Sequence, residues 1–218
     1  DFAMLENQFS GAGFAEHITA ADLIRYLKDH RIDVHIASTD ADTSAGKTQL
    51  EYDASRTVLA IYTFYRSIKG LENLTVDFAA EETGVRETNR IIGAQTITAA
   101  DYISGRHYSD AVCYAFYPID RHVMSGIEQR FFAENVVGEI PYGALIPQNA
   151  RKILCAGRCI ASDSEANSAL RVQAVCMASG QAAGCAAAIS AQENMPVKDV
   201  PYDRLCGCLN EMGAIVPA

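Results

Sequence analysis

Residues 153 to 189 read ILCAGRCIASDSEANSALRVQAVCMASGQAAGCAAAI, and no other stretch constrains the fold as tightly. A short apolar run, a Gly157-Arg158 turn and a polar loop lead into a long helix built mostly from Ala, Gly, Ser and Cys. Small side chains bury little apolar area each, so such a helix gains stability by packing closely against a sheet or another backbone. The stripe Ala178, Gly180, Ala183, Gly184 and Ala187 suits that packing. Gly157 would let the backbone approach a neighbour as only a residue without a side chain can. The run from Ala166 to Gln173 can supply a helix start, where free amides and a partial positive charge favour an electron-rich group. Ser168 is a candidate cap there, and Arg171 adds a full charge.

The chain has 218 residues, enough for one large domain or two small ones. Its 49% hydrophobic content permits a sizeable core. A net charge of −9, with Lys and Arg scattered, argues against a nucleic-acid partner, which needs a basic face. Seven cysteines is an odd number, and five of them fall inside apolar strand or helix patterns. Reduced thiols in a cytoplasmic protein fit that better than a secreted disulfide framework. Cys206 and Cys208 lie two apart on an expected helix and point to nearly opposite sides, so they cannot share a metal. The opening Asp1-Phe-Ala-Met-Leu-Glu6 lacks the basic start and apolar run of a secretory leader. Val172 to Ile189 is too rich in alanine, with Gln173 and Gln181 inside it, to read as a membrane span.

The remaining pattern mixes helices and strands without strict alternation, giving an α/β class with mixed α+β character. Thr19 caps a helix through His30. Val34 to Ala37 reads as a strand, 38 to 46 as a polar loop and about Ala54 to Leu71 as a helix. Leu74 to Ala79 and Arg90 to Ile97 read as strands, and Thr98 caps a short helix through Tyr102. Val112 to Phe116 reads as another strand, residues 123 to 135 show no periodicity, and Ile153 to Ala156 form a strand. Val200 to Met212 forms a last helix ended by Gly213.

The segments AGRCIAS (156–162) and LRVQAVCMASGQAAG (170–184) resemble the flavin-closing C-terminal segment of FAD-dependent oxidoreductases of the glutathione-reductase structural class. Gly84-Val-Arg-Glu-Thr88, Arg90-Ile-Ile-Gly93, Ile103-Ser-Gly-Arg106 and Tyr117-Pro-Ile-Asp120 follow the family's order, and the similarity runs from about Thr19 to the C-terminus. Some relatives carry the label xanthan lyase, which says nothing reliable of function. The resemblance implies FAD and two-electron (hydride) redox on an unidentified small-molecule substrate. It implies that Gly157 and Arg158 lie near the ribityl and pyrophosphate, and that Ser168, Arg171, Val172 and Gln173 lie near the isoalloxazine. Arg86 would face the substrate side or the flavin edge. Residues 1–140 would then be mostly substrate domain and 141–218 the C-terminal part of the FAD-binding domain.

The family's N-terminal strand and Gly-x-Gly-x-x-Gly turn hold the FAD pyrophosphate. Gly11-Ala-Gly-Phe-Ala-Glu16 departs from that fingerprint: its sixth position is Glu, no apolar strand precedes it, and Asp33 starts a strand instead of ending one. The expectation is the C-terminal part of a two-domain enzyme lacking its Rossmann unit, binding FAD weakly or not at all by itself. The N-terminal dinucleotide-binding portion of the same protein is then its partner. Two rivals remain: a non-catalytic remnant or interaction module keeping the fold without cofactor, and a nicotinamide-binding protein using Gly11 to Glu16.

On the substrate side, Asp120 and His122 share a face of an extended segment, and a histidine near neutrality can move the proton that accompanies hydride transfer. Arg86 and Arg106 are candidate carboxylate clamps. Asp40 and Asp42 lack the spacing of a calcium loop, and no metal site is expected.

Overall fold

The computed structural model describes residues 18–36, 40–123 and 126–217, which fall into two compact units, Asp1–Thr88 and Asn89–Ala218. Among the described residues the first unit holds helices, and the second mixes helices with two small two-stranded antiparallel sheets. The Gly11 to Glu16 turn lies outside the described residues.

In the first unit, α1 (Ala20–Lys28) starts where the sequence indicates. Thr19 accepts from the Asp22 amide while the Asp22 carboxylate accepts from the Thr19 amide, a reciprocal capping box. Helix α2 runs Ser44–Arg66, ten residues earlier than its apolar repeat. Thr43 explains the early start: its hydroxyl accepts from the Gly46 amide at 3.0 Å and donates to the Asp40 carbonyl at 3.0 Å. Leu23, Ile24 and Tyr26 of α1 meet Ile61, Tyr65 and Ile68 in one small core. The buried Tyr65 hydroxyl donates to the Leu23 carbonyl at 2.7 Å and locks the two helices. The strand expected at 74–79 does not form, and neither do the described residues of the one expected at 34–37. Val76 and Phe78 are exposed, and no strand among the described residues pairs them.

In the second unit, α3 (Ala99–Ser104) is capped by Thr98 and closed by Gly105 in the left-handed region. Strand β1 (Ala111–Ala115) pairs antiparallel with β4 (Gly138–Pro141). Strands β2 (Ile119–Val123) and β3 (Gly126–Arg130) form a hairpin with Asp120 opposite Gln129 and His122 opposite Ile127. The expected strands at 90–97 and 153–156 are not regular strands. Residues 91–97 are laced instead by single backbone bonds: Ile91 donates to Cys159, Ala94 to Ile146 and Ile97 to Ala161. Gly93 permits that approach, since a Cβ there would sit 2.5 Å from the Ala161 Cβ.

The long helix is broken. Helix α4 (Ser164–Leu170) ends at Arg171, and α5 (Gln173–Gln192) begins after Val172. Helix α5 is the one described helix long and apolar enough to cross a membrane, yet Val175, Ala182, Cys185, Ala186 and Ile189 are buried in this unit's core. They pack with Val112, Ile140, Leu205 and Leu209 of β1, β4 and α6 (Tyr202–Glu211), as a core helix does. The close packing expected at Gly180 and Gly184 is absent among the described residues: a Cβ at either meets nothing within 4 Å. Within the second unit β1 and β4 share one core with α5.

Candidate functional site

Three elements of the second unit converge at Asp120, which is 9% exposed on β2. Its backbone N–H donates to Ser168 Oγ at 3.0 Å, and that hydroxyl donates onward to the Glu165 carbonyl at 2.7 Å. Its carbonyl accepts from Arg171 Nη2 at 3.1 Å, and its carboxylate Oδ1 accepts from Gln129 Nε2 at 3.1 Å. The Glu165 carboxylate takes Arg121 at 3.0 Å and Arg130 at 2.9 Å, one residue from each strand of the hairpin. The hairpin is therefore held to α4 by side chains from both of its strands.

Ser168 does not cap a helix. Asp163 caps α4 through the Ala166 amide at 2.7 Å, and its second oxygen accepts from the Ala99 amide at 2.7 Å. Ser168 sits inside α4, 2% exposed, its hydroxyl both donating and accepting. Val172 occupies the N-cap of α5 and no side chain caps that helix. The first amides of a 20-residue helix thus carry the positive end of its dipole without a side-chain cap among the described residues, and Gln173 and Ala174 beside them are exposed.

The Gly157–Cys159 turn lies against the same helix. The Gly157 amide donates to Ser179 Oγ at 3.0 Å, and the place of its missing Cβ is 3.7 Å from Cys176 Sγ. That distance is ordinary contact, so within this chain glycine is required by its φ of +76° and not by crowding. The Arg158 side chain is exposed, and its carbonyl accepts from Asn167 Nδ2 at 3.1 Å. Burial pushes the Cys176 thiol above its usual pKa, and the nearby Arg158 charge partly opposes the rise. Asn167 is 1% exposed, and its Oδ1 has no partner among the described residues.

Asp120, Ser168 and Arg171 therefore form one bonded cluster that continues into Val172 and Gln173, while Gly157 and Arg158 join through Asn167 and Ser179. Arg86 is exposed and belongs to the first unit. His122 holds its place in β2, but its side chain lies outside the described residues. Arg106 pairs with Asp101 at 3.2 Å. Among the described residues no group of three or more His, Cys, Asp or Glu could hold a metal ion. Sequence reasoning missed Asn167, Glu165 and Ser179. Asp163 three residues before Ala166 was a readable cap, whereas a hydroxyl inside a helix gives no local signal of what it meets.

A family model described as FAD dependent oxidoreductase matches residues 6–209. Comparisons with curated proteins and with solved structures find no match.

Proposed function

The chain belongs to the FAD dependent oxidoreductase family, and from that premise we propose that its second unit closes the isoalloxazine and ribityl side of a bound FAD. One observation carries the reading: the open N-terminus of α5 and the left-handed Gly157 turn lie side by side, joined by Ser179. The residues fit the group. Free amides at the helix start suit the electron-rich N1 and C2-carbonyl edge, and the orphaned Asn167 Oδ1 behind the turn is an acceptor of the kind ribityl hydroxyls satisfy.

When bound, FAD supplies a two-electron acceptor for a small-molecule substrate. Val172 and Gln173 present the amides, and Gly157 and Arg158 flank the ribityl and pyrophosphate. Arg171 divides its charge between that edge and the Asp120 carbonyl, and Ser168 positions Asp120 instead of touching cofactor. Within the second unit Asp120 and His122 serve the substrate, with Asp120 or His122 holding the proton that accompanies hydride transfer. The glutathione-reductase class, a cytoplasmic setting and a two-domain arrangement belong to the same proposal. The adenosine end is then held by a dinucleotide-binding portion outside residues 18–217.

The test is flavin content. Purified alone, this chain should release no stoichiometric flavin on denaturation, and a yellow, fully loaded sample would overturn the weak-binding part. Joined to a dinucleotide-anchoring unit it should retain FAD, and substituting Gln173→Glu at the helix start should weaken that retention. A joined protein that stays colourless, or one indifferent to Gln173→Glu, would overturn the site.

A further inference from the structure

Three sulfur-bearing side chains meet where α5 and α6 pack. The Cys185 thiol, on the buried face of α5, donates to Met212 Sδ at 3.4 Å. Met212 is the C-cap of α6, and its amide donates to the Cys208 carbonyl at 3.2 Å, one helical turn earlier. Cys208 and Met212 therefore share a face of α6, and the Cys208 thiol hydrogen-bonds Cys185. Other cysteines of this unit turn to carbonyl oxygens: Cys159 donates to Ala156 at 3.4 Å and Cys176 to Arg171 at 3.5 Å. A thioether is a weak acceptor, so the Cys185 contact gains little as a hydrogen bond. As a donor set, two thiols and a thioether drawn from two helices are uniformly soft.

The surroundings favour a cation. Met212 closes the C-terminus of α6, the negative end of its dipole, and the last turn of that helix carries no basic residue. Met212 is 62% exposed, so the set opens to solvent at the thioether, while Cys185 belongs to the core that Ile189, Leu205 and Leu209 share. Among the described residues no third His, Cys, Asp or Glu joins the two thiols, so zinc and harder ions lack a full set of their preferred donors.

We propose that Cys185, Cys208 and Met212 bind one soft monovalent metal ion, Cu(I), through two thiolates and a thioether. Two S–Cu bonds replace two S–H bonds, both protons leave to solvent, and the thioether donates a lone pair. Copper stays Cu(I), so the step consumes no oxidant or reductant.

Anaerobic titration of the reduced full chain with Cu(I), followed by NMR of isotope-labelled methionine methyl groups, tests it. The signal assigned to Met212 by its loss in Met212→Leu should shift and saturate at one equivalent. Met177, 74% exposed, is the internal control and should not follow it. Zn(II) should leave the Met212 methyl in place, because zinc takes thiolate, imidazole and carboxylate ligands. In competition with a chromophoric Cu(I) chelator, Cys208→Ser should weaken binding more than about 100-fold, because even a group that only supports a ligand costs about 10–100-fold when lost. Met212→Leu, an exposed replacement, should weaken binding about tenfold in the same assay and carries the test if the serine variant fails to fold. A Met212 methyl that ignores Cu(I), one that shifts no more than Met177, or unchanged affinity in the folded variants overturns the proposal. Flavin retention enters none of these readouts, so the two readings fail separately.

Discussion

Replacing Gly157 with alanine separates two reasons for a glycine. A Cβ at Gly157 would lie 3.7 and 3.8 Å from Cys176 Sγ and Cβ, distances that need no rearrangement. The penalty comes from the backbone alone, since φ is +76° and an L-residue pays roughly 1–2 kcal/mol in the left-handed region. Alanine also restricts the unfolded chain, which offsets about 0.4–1 kcal/mol. The net expectation is a loss of about 0.5–1.5 kcal/mol, read as a lower urea midpoint at unchanged slope. Gly157→Asn should lose less than Gly157→Ala, because asparagine tolerates this region. Gly138 supplies the contrast: a Cβ there would sit 2.4 Å from the Tyr102 ring, which is 1% exposed, so Gly138→Ala should cost about 3 kcal/mol through overpacking. Gly180→Ala, with nothing within 4 Å in the middle of α5, should stabilise by about 1 kcal/mol. If Gly157→Ala costs as much as Gly138→Ala, or asparagine fares no better than alanine, the turn is crowded and the backbone argument is wrong.

Two further outcomes follow from the same contacts. Glu165→Gln should loosen the β2–β3 hairpin by about 1 kcal/mol or less, since the Arg121 and Arg130 pairs are partly exposed, and the difference from the parent should shrink in high salt. Equal differences in thermal melts at low and high salt would remove the ionic account. Burial raises the Cys113 thiol from 9.0 to about 12, so its contribution to stability is complete below pH 9 and is lost between pH 9 and about 12, where the unfolded thiol ionises first. Native Cys113 should therefore resist alkylation at neutral pH while the more accessible Cys206 reacts, and mass spectrometry showing Cys113 modified first would contradict it.

Where the sequence was legible, the signal was local and chemical. Thr19, Thr98 and Gly213 act as their residue types dictate, because a cap or a left-handed stop is satisfied within a few residues. Thr43 carries the same kind of signal, but the apolar repeat further along drew the helix start away from it. Extended segments were less legible, because a strand needs a partner that its own sequence does not name. Residues 74–79 alternate and join no strand among the described residues, whereas 126–130 barely alternate and pair, since Arg121 meets Glu128 across the hairpin and Arg121 and Arg130 both meet Glu165, through charge instead of apolar contact. At the candidate site, Gly157 and Arg171 announced themselves by type. The buried bonds that set Asp120 in place depend on residues about fifty positions away, and no spacing rule reveals them.

The two-residue break between α4 and α5 makes the hairpin and the long helix one linkage. Arg171 ends α4, grips the Asp120 carbonyl on β2 and adjoins the Val172 cap of α5. A displacement of the hairpin can therefore reach the first turn of α5 through this guanidinium as well as through the Ser168 and Glu165 bonds to α4. Substitutions on the hairpin and at the helix start should not add: a double-mutant cycle between Gln129 and Gln173 would carry a coupling term that shrinks once Arg171 is shortened to alanine.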